Sequence, residues 1–101
     1  MHYRLWIEDA AKAEIKHLPG HMRQRVRQAI QDLRLEPRPH DSRSLRLEET
    51  TELEIRRLRL DRWRVIYVID EQTTEVGVLA VRKRPPYDYS DLSKLLASLQ
   101  E

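Results

Sequence analysis

Arginine is the residue type whose number and spacing in this sequence could do chemistry. Between Glu54 and Arg84 stand eight basic residues (Arg56, Arg57, Arg59, Arg62, Arg64, Arg82, Lys83 and Arg84) against five acids (Glu54, Asp61, Asp70, Glu71 and Glu75), yet the whole 101-residue chain carries a net charge of only +2. A guanidinium is planar, permanently charged and able to place two parallel hydrogen bonds on a phosphate. Several on one surface draw phosphates in, and they stabilise negative charge that grows on phosphate oxygens during a reaction. The sequence pI near 9.1 is a weak global signal for nucleic acid. Local clustering carries more weight.

The elements that must position these arginines are strands. L-E-I-R-R-L-R-L (53–60), W-R-V-I-Y-V-I-D (63–70) and E-V-G-V-L-A-V-R-K-R (75–84) are rich in β-branched and aromatic residues, with alternation where one face meets solvent. In the second run Val65, Tyr67 and Ile69 point one way and Arg64, Ile66, Val68 and Asp70 the other. Both faces are largely apolar, which suits a central strand. The connections Asp61-Arg62 and Glu71 to Thr74 are short enough to join only antiparallel neighbours, so Leu53 to Arg84 is expected to form a meander. Parity puts Arg57 and Arg59 on one face, and Arg82 and Arg84 on one face. The returning third strand brings both pairs near Arg64 on one concave patch.

The remaining chain reads as a cover for this sheet. His2 to Ile7 alternates, with Tyr3, Leu5 and Ile7 on one face, and is expected to be an edge or near-edge strand. Ala11, Ile15 and Leu18 follow an acidic start at helical spacing, so Asp9 to His17 reads as a short amphipathic helix, and Pro19-Gly20 ends it. A longer helix follows with Met22, Val26, Ala29, Ile30 and Leu33 on its apolar face, opposite Arg23, Arg25, Arg27, Gln28, Gln31 and Asp32. Glu36 to Arg43 is a loop, and Ser44 to Leu47 is a short strand or extended connection. After Arg84, Pro85-Pro86 stops pairing and Ser90 caps a final helix with Leu92, Leu95, Leu96 and Leu99. The fold class is therefore α+β: an antiparallel meander packed against an N-terminal helical hairpin, with a short C-terminal helix, in one domain spanning 1–101.

Composition excludes several functions. There is no cysteine, which removes disulfides, thiol catalysis and cysteine-based metal sites. His2, His17, His21 and His40 lack metal-ligand spacing and read as surface residues. No apolar run resembles a signal peptide or approaches the roughly 20 residues needed to span a bilayer. The cytoplasm is the expected compartment.

The order strand, helical hairpin, meander, with Trp63 to Asp70 as an x-R-V-I-Y-x-I-D strand and Val76 to Arg84 as the following V-x-V-L-x-V-x-x-R strand, resembles the RelE/ParE superfamily of toxins from type II toxin-antitoxin modules. The resemblance covers nearly the whole chain. It implies a toxin that either cuts mRNA in the ribosomal A site, as RelE-like members do, or poisons DNA gyrase without nuclease activity, as ParE-like members do. On the RelE pattern, Arg64 and Arg84 fall on the catalytic arginines, Arg57 and Arg59 on the basic residues of the preceding strand, and Tyr87 or Tyr89 on the C-terminal tyrosine. Arg82, Lys83 and Arg56 would then bind RNA. In such cleavage a 2′-hydroxyl attacks its own phosphate, convergent guanidiniums stabilise the equatorial oxygens, and a tyrosine ring stacks on a base. Arginine, with a pKa above about 12, is a poor general base, so proton transfer would fall to Lys83, a tyrosine, Glu48 or Glu49. No cofactor is implied. The implied partners are a cognate antitoxin, mRNA on the ribosome, and operator DNA only through the antitoxin complex.

Each residue also has a plainer reading. Arg56, Arg57, Arg59 and Arg62 fit a solvated strand face, and Arg64 fits an ion pair with Asp61 or Asp70. Arg82, Lys83 and Arg84 fit a strand edge kept soluble. Tyr87 and Tyr89 fit packing against the hairpin. A nucleic-acid-binding module without toxicity is the plainest function class.

Overall fold

The computed structural model describes residues 2–45 and 53–83. In chain order they form β1 (Arg4–Ile7), α1 (Asp9–Lys16), α2 (Gly20–Asp32), β2 (Ser42–Ser44), β3 (Glu54–Leu60), β4 (Trp63–Asp70) and β5 (Glu75–Lys83). The five strands make one sheet in the order β1-β5-β4-β3-β2. The expected C-terminal helix lies outside the described residues.

The meander is as the short connections required. Leu60 faces Trp63 across the two-residue Asp61-Arg62 turn. Asp61 there takes a φ of 59°, the positive value that a tight hairpin needs at its first central position. In the second turn the Asp70 carboxylate accepts the N–H groups of Gln72 and Thr73 at 3.0 and 3.3 Å, so a side chain replaces the ladder where the chain reverses. β2 adds a fourth antiparallel strand beside β3. It begins at Ser42, earlier than the expected Ser44, and residues 46–47 of the expected run lie outside the described residues. Polar bonding sets that start: Ser42 Oγ donates to Pro39 O at 2.7 Å and accepts from Arg56 Nε at 3.0 Å.

β1 is an edge strand, and it runs parallel to β5, with Leu5 opposite Val76 and Ile7 opposite Val78. Short links dictate the sense of pairing only within the meander. The connection from β1 to β5 passes through both helices and three strands, which leaves its direction to packing.

The two sheet faces are buried differently. On one, Ala11, Ile15, Leu18, Met22, Val26, Ile30 and Leu33 of the helical layer meet Leu58, Val65, Tyr67, Ile69, Val76, Val78 and Val81. Each such aliphatic burial contributes about 1.5–3 kcal/mol. The Tyr67 hydroxyl, inside this core, donates to Pro37 O at 2.7 Å. The outer face carries Ile55, Ile66, Val68, Leu79 and Ala80, with Trp6, Leu45 and Leu53 against them. Trp6 lies on Gly77 so closely that a Cβ there would overlap the indole.

One irregularity matters for the site. Ile66 pairs with Ala80 but Tyr67 with Val78, so Leu79 is an extra residue in β5. This bulge reverses the parity of everything after it. Val76 and Val78 face the helices, and so does Val81. Arg82 consequently shares the outer face with Arg64.

Candidate nucleic-acid interface

The outer face collects the arginines into rows set by register. Arg59 stands opposite Arg64, and Arg64 opposite Arg82, on strands about 4.8 Å apart. Directly opposed like charges destabilise a sheet. Near the surface each such pair costs about 0.8 kcal/mol in high dielectric. Arg57, two residues along β3, sits on the same face opposite Ile66. On its other side it faces Arg43 of β2.

Only part of this charge is balanced. Glu14 of α1 reaches the edge of β5 beyond the end of β1, where its carboxylate accepts Val81 N–H at 3.0 Å and Arg82 Nε at 3.2 Å. That arrangement satisfies a strand-edge donor and holds Arg82 beside Arg64. Arg64 itself donates from Nη1 to Asp61 O and Trp63 O, both at 2.9 Å. The ion pair with Asp61 or Asp70 is not what the structure has: backbone carbonyls take one end of the guanidinium, and the Asp70 carboxylate is engaged in its own turn. Among the described residues, Arg43, Arg57, Arg59 and Arg64 lie in no salt bridge. At the β2 end of the row, Arg59 N–H donates to Asp41 O at 3.2 Å. The Asp41 carboxylate is 3.1 Å from His40 Nε2.

The other expected ligands are placed elsewhere. Arg56 pairs with Tyr67 and so turns to the helix side, where Nε reaches Ser42 Oγ and Nη1 reaches Glu54 at 2.9 Å. Lys83 lies over the Trp63 ring, 5.6 Å from its centroid, and Trp63 packs on the helix-side core. Arg62 is exposed on the hairpin turn. Arg84, Tyr87, Tyr89, Glu48 and Glu49 lie outside the described residues.

The acids gather at the opposite end of the strands. Arg38 binds Glu54 at 2.7 Å and Glu71 at 2.9 Å, and the Tyr3 hydroxyl donates to Glu71 at 2.8 Å. The bond from Arg38 holds the Glu54 carboxyl below its ordinary range. Glu71 is lowered chiefly by the Tyr3 hydroxyl and then by Arg38. The same contact raises the Tyr3 phenol, while burial pushes up Tyr67. This network staples the loop before β2 to the sheet; among the described residues Glu14, on Arg82, is the carboxylate in a salt bridge with the outer arginine row.

A cleft of about 280 Å³ lies between β1 and the two helices, lined by Ile7, Lys12, Ile15, Arg27, Ile30 and Gln31. It is on the opposite side of the sheet from Arg57, Arg59, Arg64 and Arg82. Among the described residues no group of three or more His, Asp or Glu could hold a metal ion. No helix among them is long and apolar enough to cross a membrane.

Two contributors escaped the sequence. Arg43 sits in a stretch without apolar alternation, so nothing marked it as facing Arg57. Glu14 looked like one more polar residue on a helix, and only the end of β1 at Ile7 exposes the β5 edge that it caps.

Residues 6–85 match the family model described as the ParE toxin of the type II toxin-antitoxin system, parDE. The structure is similar to that of the archaeal RelE-RelB complex from Pyrococcus horikoshii OT3, with a TM-score of 0.74 and 28% identity over 86% of this chain and 100% of that one. It is similar also to the toxin-antitoxin complex RelBE2 from Mycobacterium tuberculosis, with a TM-score of 0.70 and 26% identity over 83% of this chain and 100% of that one. The isolated E. coli RelE toxin shares the fold at a TM-score of 0.62, with 21% identity over 92% of this chain and 97% of that one. No curated protein matches the sequence.

Proposed function

Since the chain belongs to the ParE toxin family of type II toxin-antitoxin systems, we propose that it acts as a ribosome-dependent endoribonuclease that cuts mRNA and arrests translation. The observation that supports this reading is the Arg59–Arg64–Arg82 row with Arg57 beside it. Arg64 is the centre. Its Nη1 is fixed by two carbonyls, and it stands on the outer face of a strand that cannot shift without breaking the core. Preorganised charge of this kind lowers the barrier when a 2′-hydroxyl attacks the adjacent phosphate and charge grows on the equatorial oxygens. Arg57 and Arg59 hold the phosphate in place, Arg84 joins them, and Tyr87 or Tyr89 stacks on a base. Proton transfer is assigned to residues outside the described ones, Glu48, Glu49 or the tyrosines, because Lys83 faces Trp63.

The partner that restrains the toxin is a cognate antitoxin, as in the RelE-RelB and RelBE2 complexes, whose chain covers the basic face; operator DNA is met only through that complex. The setting is the cytoplasm, and the chain acts as one domain. A second reading is favoured by the description of the matching family: a gyrase poison without nuclease activity, which does not need the arginines at 57, 59, 64 and 84. Primer extension on transcripts from expressing cells separates the two. Cuts within translated codons support the nuclease, and DNA breaks without such cuts support the gyrase poison.

A further inference from the structure

We propose that Arg43 and Arg57 form a second phosphate-binding subsite, so that single-stranded RNA crosses the outer face obliquely from β4 to β2. The inference rests on reading that face as an RNA-binding surface.

Arg43 and Arg57 are directly opposite one another on β2 and β3. Neither lies in a salt bridge among the described residues. Two unpaired guanidiniums in register repel one another, and an edge strand has no packing reason to keep that arrangement. The polar side chains just before Arg43, those of His40, Asp41 and Ser42, are engaged. Ser42 binds Pro39 O and Arg56. Asp41, which lies towards the Arg59 row, takes His40 rather than an arginine. An anion between Arg43 and Arg57 converts the repulsion into two charge-assisted contacts.

The position fits a polymer better than a lone ion. The centre of the Arg43–Arg57 pair lies one strand over and two residues along from that of Arg59–Arg64. At about 4.8 Å per strand and 3.4 Å per residue, the two centres are about 8 Å apart. Flexible arginine side chains close that gap to the spacing of successive phosphates in an extended strand.

The test uses the full chain and labelled 2′-O-methyl oligouridylates, which cannot be cleaved, as a dinucleotide and as a longer oligomer, with affinity measured from about 50 to 200 mM salt. Arg43→Ala is expected to flatten the salt dependence for the oligomer by about 0.7 in log–log slope, one single-strand phosphate, and to leave the dinucleotide unchanged. Arg25→Ala, on the exposed face of α2, is the control and should match the parent. An Arg43→Ala slope equal to the parent's overturns the subsite, as does a parent chain that fails to bind the oligomer. Arg43-dependent binding in a protein that cuts no transcript upholds the subsite and removes the nuclease reading. Cutting with Arg43-independent binding removes the subsite alone.

Discussion

Replacing Arg64 by alanine tests the proposed chemistry most directly, because its stability and activity effects separate. The substitution removes two hydrogen bonds from Nη1 to Asp61 O and Trp63 O, worth about 1–3 kcal/mol in all for a partly exposed donor. It also removes the opposition of Arg64 to Arg59 and Arg82, which returns about 0.8 kcal/mol for each pair. The net change in stability therefore runs from a gain of about 0.6 to a loss of about 1.4 kcal/mol, a fall of no more than roughly 6–11 °C in melting temperature for a domain of this size. Catalysis should fall much further. A preorganised donor to a developing oxyanion contributes about 2–4 kcal/mol, so cleavage drops roughly thirty- to a thousandfold. Thermal unfolding, affinity for the cognate antitoxin and growth arrest are to be measured on the same Arg64→Ala protein, with Arg62→Ala on the neighbouring turn as a variant expected to change little. A stable, antitoxin-competent Arg64→Ala protein that remains fully toxic refutes the catalytic role. One that unfolds early and loses the antitoxin would show that the two carbonyl contacts matter for the fold instead.

Three further outcomes follow from particular contacts. Glu14→Ala strips the acceptor from Val81 N–H and removes one contact of Arg82, at about 1–2 kcal/mol; amide exchange at Val81 should accelerate, and unchanged protection there would contradict the capping role. Gly77→Ala drives a methyl into the Trp6 indole, at about 1–3 kcal/mol, so the urea midpoint should fall with an unaltered slope. Glu54 and Glu71 have folded-state pKa values depressed below about 4.5. Their contribution to stability is thus present above that pH and is lost as the pH falls through the folded values. Arg38→Met, which removes the shared partner, should flatten the acid limb of a stability–pH curve, and an identical limb would place the effect elsewhere.

The arginine set, the strand runs and the apolar stripes of both helices are local properties, legible because residue type and periodicity fix them before any long-range contact forms. Antiparallel pairing of β3, β4 and β5 was equally legible, since two- and four-residue links leave no other choice. The sense of β1 was not, because its partner lies at the far end of the described chain. Face assignment within β5 was decided by tertiary structure as well. Strict alternation from Val76 and Val78 would turn Arg82 towards the helices, and the extra residue Leu79 brings it opposite Arg64 instead. Arg43 and Arg56 make the same point in opposite directions. Both are arginines on or beside an edge, yet register turns Arg43 outward against Arg57 and Arg56 inward onto Ser42 and Glu54. Sequence determined which charges this protein has, and pairing register, which depends on contacts far apart in the chain, decided which of them meet.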